Sequence, residues 1–113
     1  MKQIINIRMW DKDVPTGQLI QVQAEKWDNP YGVNIFIHKF IPECAKTPVY
    51  HATDYTTGLC LLSTDKKKDL LQRLEKKFND LDLTSFGRIE SRVRYDELVQ
   101  ENIEFYKISP ANV

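Results

Sequence analysis

This chain of 113 residues is short of cysteine, glycine and net charge, with two Cys, four Gly and sixteen Lys or Arg against sixteen Asp or Glu. Cys44 and Cys60, with no export signal beside them, read as free thiols rather than a disulfide framework. A charge balance of zero excludes whole-molecule attraction to phosphate or anionic lipid, so any nucleic-acid binding needs a local patch. No apolar run approaches the ~20 residues of a membrane span, and Lys2, Arg8 and Asp11 interrupt any signal-like apolar stretch, which leads us to expect a cytoplasmic protein. Repeats, low-complexity tracts and Gly/Ser linkers are missing as well, so one domain over residues 1–113 is expected. The motifs GxxxxGK[ST], GxGxxG, GxSxG and HExxH do not occur, and no cofactor, metal or enzymatic activity is expected.

What the chain does have is an apolar content of 42% and a charged content of 28%, enough for a single folded core. Residues 49–81 carry the clearest local signals. Val49, His51, Thr53 and Tyr55 alternate with Tyr50, Ala52 and Asp54, Thr56-Thr57-Gly58 supplies a turn, and residues 59–62 form an apolar run of strand length. Ser63 or Thr64 then caps an amphipathic helix over 65–81, with Leu70, Leu71, Leu74, Phe78 and Leu81 on one face. Upstream, alternation predicts strands at 3–9 and 18–26, separated by a break at 11–17, and a third at 33–40. Apolar residues on both faces of that third strand place it centrally. Residues 41–48 form a loop between two prolines. Ile89, Val93 and Tyr95 suit a strand over 86–95, although a helix fits Phe86, Ile89 and Val93 too, and Asp96 caps a last helix over 96–106 before Pro110 ends ordered structure. The expected fold is therefore α+β: a mostly antiparallel sheet of about five or six strands with a long and a shorter helix on one face.

Several residue sets stand out as candidate sites. Lys66, Lys67 and Lys68 sit in the first turn of the long helix, where cations oppose the macrodipole at a cost of ~0.3–1 kcal/mol each. Residues 66–94 hold nine Lys or Arg against five acids. Together with Thr57, Arg88, Arg92 and Arg94, these lysines make a candidate phosphate or nucleic-acid surface, set against the plainer reading of a solvated helix face. Among the aromatic residues Trp10, Trp27, Tyr31, Tyr50 and Tyr55, which read more simply as core, Trp27 and Tyr31 flank a loop tip and are expected to be exposed as a small docking surface. Glu97, Glu101 and Glu104 line the last helix, where residues 95–113 hold four acids against one Lys. His38, Cys44, His51, Asp54 and Cys60 offer the residue types of a metal or thiol site, yet their spacing matches no ligand pattern and the two histidines fall on separate strands with no predicted common face.

The turn Tyr55-Thr56-Thr57-Gly58-Leu59 followed by Ser63-Thr64-Asp65-Lys66-Lys67-Lys68-Asp69-Leu70 resembles the strand–strand–helix segment of small proteins carried by phages and other bacterial mobile elements. It is similar also to the DNA-binding modules at the N-terminus of some integrases, and more faintly to the last strand and helix of double-stranded-RNA-binding domains. The likeness spans about a third of the chain and transfers no functional residue. The first expectation is a small non-enzymatic interaction protein, an accessory or counter-defence factor of such an element, that presents a sheet edge, the loop aromatics Trp27 and Tyr31, or the acidic last helix with Glu97, Glu101 and Glu104 to a protein partner. The alternative is a nucleic-acid-binding module using the basic set. Self-association remains open, and no membrane contact is expected.

Overall fold

A computed structural model describes residues 2–11, 14–40, 49–80 and 94–112. Five strands, β1 (Lys2–Asp11), β2 (Val14–Lys26), β3 (Ile35–Phe40), β4 (Val49–Asp54) and β5 (Cys60–Thr64), pair antiparallel in chain order, and two helices follow, α1 (Lys67–Asn79) and α2 (Tyr95–Tyr106). The strands form where apolar and polar residues alternate, and the order β1-β2-β3-β4-β5 puts β3 at the centre, where Ile35, Phe36, Ile37 and His38 are all buried. β1 and β2 are longer than the alternation alone indicates. Asp11 pairs with Val14 and Trp10 with Pro15, so strand pairing runs well into the stretch expected to break it. Proline is tolerated there because it sits next to the turn, near the start of its strand.

The sheet has two unlike faces. Ile35, Ile37, Ala52, Leu59 and Leu61 lie under the helices, which bring down Leu70, Leu74 and Phe78 from α1 and Leu98 and Val99 from α2. Each fully buried leucine contributes ~1.5–3 kcal/mol over an exposed one. The other face carries Phe36 with Ile5, Ile7 and Ala24. β2 pairs with β3 at Glu25↔Ile37 and Lys26↔Phe36, after which the two strands part. The long β1–β2 hairpin then curls back over this second face until the Arg8 amide donates to the Gly58 carbonyl at 2.9 Å.

That closure is secured by polar groups. The buried Arg8 guanidinium donates to the Thr57 carbonyl at 2.9 Å, to the Thr16 carbonyl at 2.8 Å and to the Ser109 carbonyl. Gly58 has a φ of 72°, and a Cβ there would meet the Ala111 Cβ at 2.9 Å and the Arg8 amide nitrogen at 3.0 Å. Glycine is required on both counts. The chain remains ordered past Pro110, against expectation. The Ala111 amide donates to the Thr56 carbonyl at 2.7 Å, and Asn112 exchanges hydrogen bonds of 2.8 Å with the Asn6 backbone, capping the free edge of β1.

Local features depart from expectation in three more places. α1 begins after Lys66 with no side-chain cap, because the Thr64 hydroxyl donates instead to the Lys66 carbonyl at 2.6 Å. Tyr95 opens α2 rather than closing a strand, and the rest of the strand-or-helix stretch, up to residue 93, lies outside the described residues, as does Leu81. Trp27 is 6% exposed: its ring packs on Phe78 at 5.7 Å and on Tyr31 at 5.9 Å, so the loop it begins is folded onto the end of α1.

Candidate functional site

Lys66, Lys67, Lys68 and Arg94 are all exposed, but the three lysines and Arg94 do not share a surface. Arg94 and Tyr95 border Phe78 at the far end of α1, and a helix of 13 residues is about 20 Å long. Arg94 lies 3.7 Å from Asp96, and Lys67 lies 3.5 Å from Glu25. Arg88, Arg92 and Cys44 fall outside the described residues. Thr57 is fully buried, with its amide and hydroxyl both donating to the Asp54 Oδ2 at 2.8 Å, so its hydroxyl serves the turn rather than the surface. The Tyr95 hydroxyl donates to the other Asp54 oxygen, pinning α2 to that turn. Burial raises the Asp54 pKa despite these donors, and burial together with the Asp54 charge raises that of Tyr95.

Of the residues expected to dock a partner, Tyr31 is half-buried, stacked on Phe78 at 5.5 Å with its hydroxyl donating to Asn79 Oδ1 at 2.6 Å. Trp27 and Tyr31 thus complete the core instead of forming a free aromatic pair. Glu97, Glu101 and Glu104 are exposed on α2, and Phe105, 68% exposed, stands beside them. Phe105 follows Glu101 by one helical turn, so it extends the acidic stripe. Helical spacing alone points to it, once the inner face is assigned to Leu98, Val99 and Asn102.

Where β2 and β3 part, a cleft of about 540 Å³ opens, with Lys2, Lys39 and Lys67 around Tyr50 and Glu25. Lys39 Nζ lies 5.6 Å from the Tyr50 ring centre, a cation–π contact. Lys2 and Lys39 are far apart in sequence, and only the sheet brings them together.

The histidines, expected on separate strands without a common face, are cross-strand neighbours. His38 pairs with His51, and their rings stack at 5.4 Å on the face covered by the hairpin. His38 Nε2 is 2.8 Å from the Thr53 hydroxyl and its Nδ1 is 3.4 Å from the Lys39 carbonyl. A carbonyl only accepts, so Nδ1 carries the proton and Nε2 accepts from Thr53. His51 Nδ1 is 3.2 Å from Cys60 Sγ, and the thiol is 3.4 Å from the Leu62 carbonyl. With the thiol S–H donating to that carbonyl, His51 Nδ1–H donates to sulfur and Nε2 is left as a bare acceptor.

Burial, with repulsion from His38, lowers the His51 pKa to about 4, burial lowers that of His38, and burial raises the Cys60 thiol to about 12. An activated thiolate needs the opposite pair of shifts, so this arrangement donates and accepts hydrogen bonds without separating charge. Among the described residues no group of three or more His, Cys, Asp or Glu side chains is placed to hold a metal ion. His51 and Cys60 line a second, mostly apolar cleft of about 240 Å³ with Ile7, Met9, Trp10 and Phe40.

No family model matches the chain, and the searches of curated proteins and of solved structures found no match either. No described helix is long and apolar enough to cross a membrane.

Proposed function

We propose that this chain is a small non-enzymatic binding protein that docks a basic protein partner on the outer face of α2. The exposure of Phe105 within a stripe of Glu97, Glu101 and Glu104 carries this reading. An exposed aromatic ring is the usual anchor of an interface, and surrounding acids select a partner whose groove is apolar at its centre and rimmed by Lys or Arg. Membership of a phage or other mobile element, as an accessory or counter-defence factor, rests on the resemblance of residues 49–81 and belongs to the same proposal. The test is a photo-crosslinking amino acid placed at position 105 in cells, followed by reconstitution of the captured pair. Support requires a salt-sensitive complex that Phe105→Ser and Glu101→Lys each weaken at least about tenfold, the scale of one lost anchor. Equal capture from position 4, where Ile4 is also exposed, would overturn it.

A second reading, nucleic-acid binding, is favoured by the cleft where Lys2, Lys39 and Lys67 surround Tyr50. Phosphates would meet the lysines while a base stacks on the ring. Gel shifts with single-stranded DNA and RNA at low salt test it. Binding that falls steeply with salt and is lost in Lys39→Glu and Lys67→Glu supports this reading, and binding unchanged in both variants removes it.

A further inference from the structure

We propose that the cleft between the end of β1 and the face formed by β3, β4 and β5 binds an uncharged aromatic molecule of one or two rings, whose single N–H or O–H donates to His51 Nε2. The inference is independent of α2 and concerns the opposite side of the sheet. An apolar cavity of about 150 Å³ accommodates benzene, so about 240 Å³ suits a slightly larger planar molecule. The walls select such a molecule. Met9 offers a polarizable thioether, while Trp10 and Phe40 offer aromatic surface. Phe40 meets the His51 ring edge to face at 5.4 Å, so the imidazole is held by contacts on two sides, Phe40 and His38. Its Nδ1 is occupied by Cys60, and its Nε2 has no partner among the described residues. One directional acceptor in an otherwise apolar hollow is the pattern of a small-molecule site, where shape supplies affinity and a few polar groups fix orientation.

Charge is excluded from the hollow by the same arrangement. The Arg8 guanidinium borders the cleft but is engaged by the carbonyls of Thr57, Thr16 and Ser109, and both imidazoles and the thiol are uncharged at neutral pH. A carboxylate or ammonium ligand would therefore lose its hydration without gaining a free counter-charge.

Indole is a suitable probe because it has two fused rings and one N–H donor. Titration of the full chain, followed by the ¹⁵N shift of His51 Nε2, should show saturable one-site binding. 1-Methylindole, which lacks the donor, should bind the unaltered protein about tenfold more weakly, as should indole to His51→Phe. Indole-3-carboxylate should not bind. Failure of indole to saturate at its solubility limit, or equal binding of indole and 1-methylindole, would overturn the proposal. The comparison between those two compounds needs no variant, so a folding defect in His51→Phe would not obscure the result.

Discussion

On the side of the sheet that carries Ile35, Ile37 and Ala52, helices lay down Leu70, Leu74, Phe78 and Leu98, and the interior is mostly apolar, with Asn102 as a buried polar exception. On the side that carries Phe36, His38, Thr53 and Cys60, the cover is a curled hairpin, and it is held by the Arg8 side chain, a glycine turn and the C-terminal segment. The clefts that open beside the helices are bordered by charged residues such as Glu25, Lys67 and Arg94, whereas the hairpin side holds a smaller, mostly apolar hollow lined by histidines and a thiol.

Breaking the helical side should cost most. Leu74→Ala removes a fully buried side chain where α1 meets the sheet and should lower stability by ~2–5 kcal/mol, read from urea unfolding. A loss below that of a surface leucine would mean that α1 is not held by its leucine stripe. Gly58→Ala attacks the hairpin side at the point where the turn, Arg8 and Ala111 converge, and should cost ~2–4 kcal/mol through strain and overlap. A neutral result there would show that β1 does not close on the turn.

The helical side has one flaw to repair. Both amide atoms of Asn102 are buried on α2 without a hydrogen-bond partner among the described residues, so Asn102→Leu should raise stability by ~1–2 kcal/mol. A decrease would point to a bond that the amide makes in solution.

The hairpin side should instead respond to pH. His51 has a folded pKa of about 4 against an ordinary 6.5, so its contribution is present above about 6.5 and is lost as the pH falls toward 4, with His38 acting in the same direction. Asp54 has the opposite sign, since its raised pKa favours the protonated form and its contribution falls as the pH rises through that value. The unfolding midpoint should drop across the histidine window in the natural chain and drop less in His51→Phe. An unchanged slope in the variant would mean that His51 is not held neutral. The smallest effect is expected at the start of α1, where Lys68→Glu removes a cation from the positive end of the helix and should add ~0.3–1 kcal/mol, measurable as a shift in thermal midpoint.

Much of the helical side is legible in the linear chain. The spacing of Leu70, Leu74 and Phe78 matches the turn of a helix, and Leu98, Val99 and Asn102 lie on the inner side of α2 as their positions indicate. The hairpin side is not legible in the same way. Arg8 alternates like a solvent-facing residue in its strand but is buried, because three carbonyls from distant segments converge on it. His38 and His51 meet through the register of β3 against β4, and Trp27 is buried because its loop turns onto α1. Lys2, Lys39 and Lys67 show no common pattern in the sequence, and of the basic residues grouped there, Lys67 and Arg94 lie toward opposite ends of α1.

The order of side chains by itself determined which segments extend, which coil, and which stripe of each helix seeks the interior, since those depend on neighbours two to four positions away. Only the tertiary structure decided where β2 leaves β3, how far the hairpin curls, and therefore which polar groups lie in a hollow. These depend on contacts between residues separated by fifty to a hundred positions, such as Arg8 with Thr57 and Asn6 with Asn112. No local periodicity records them.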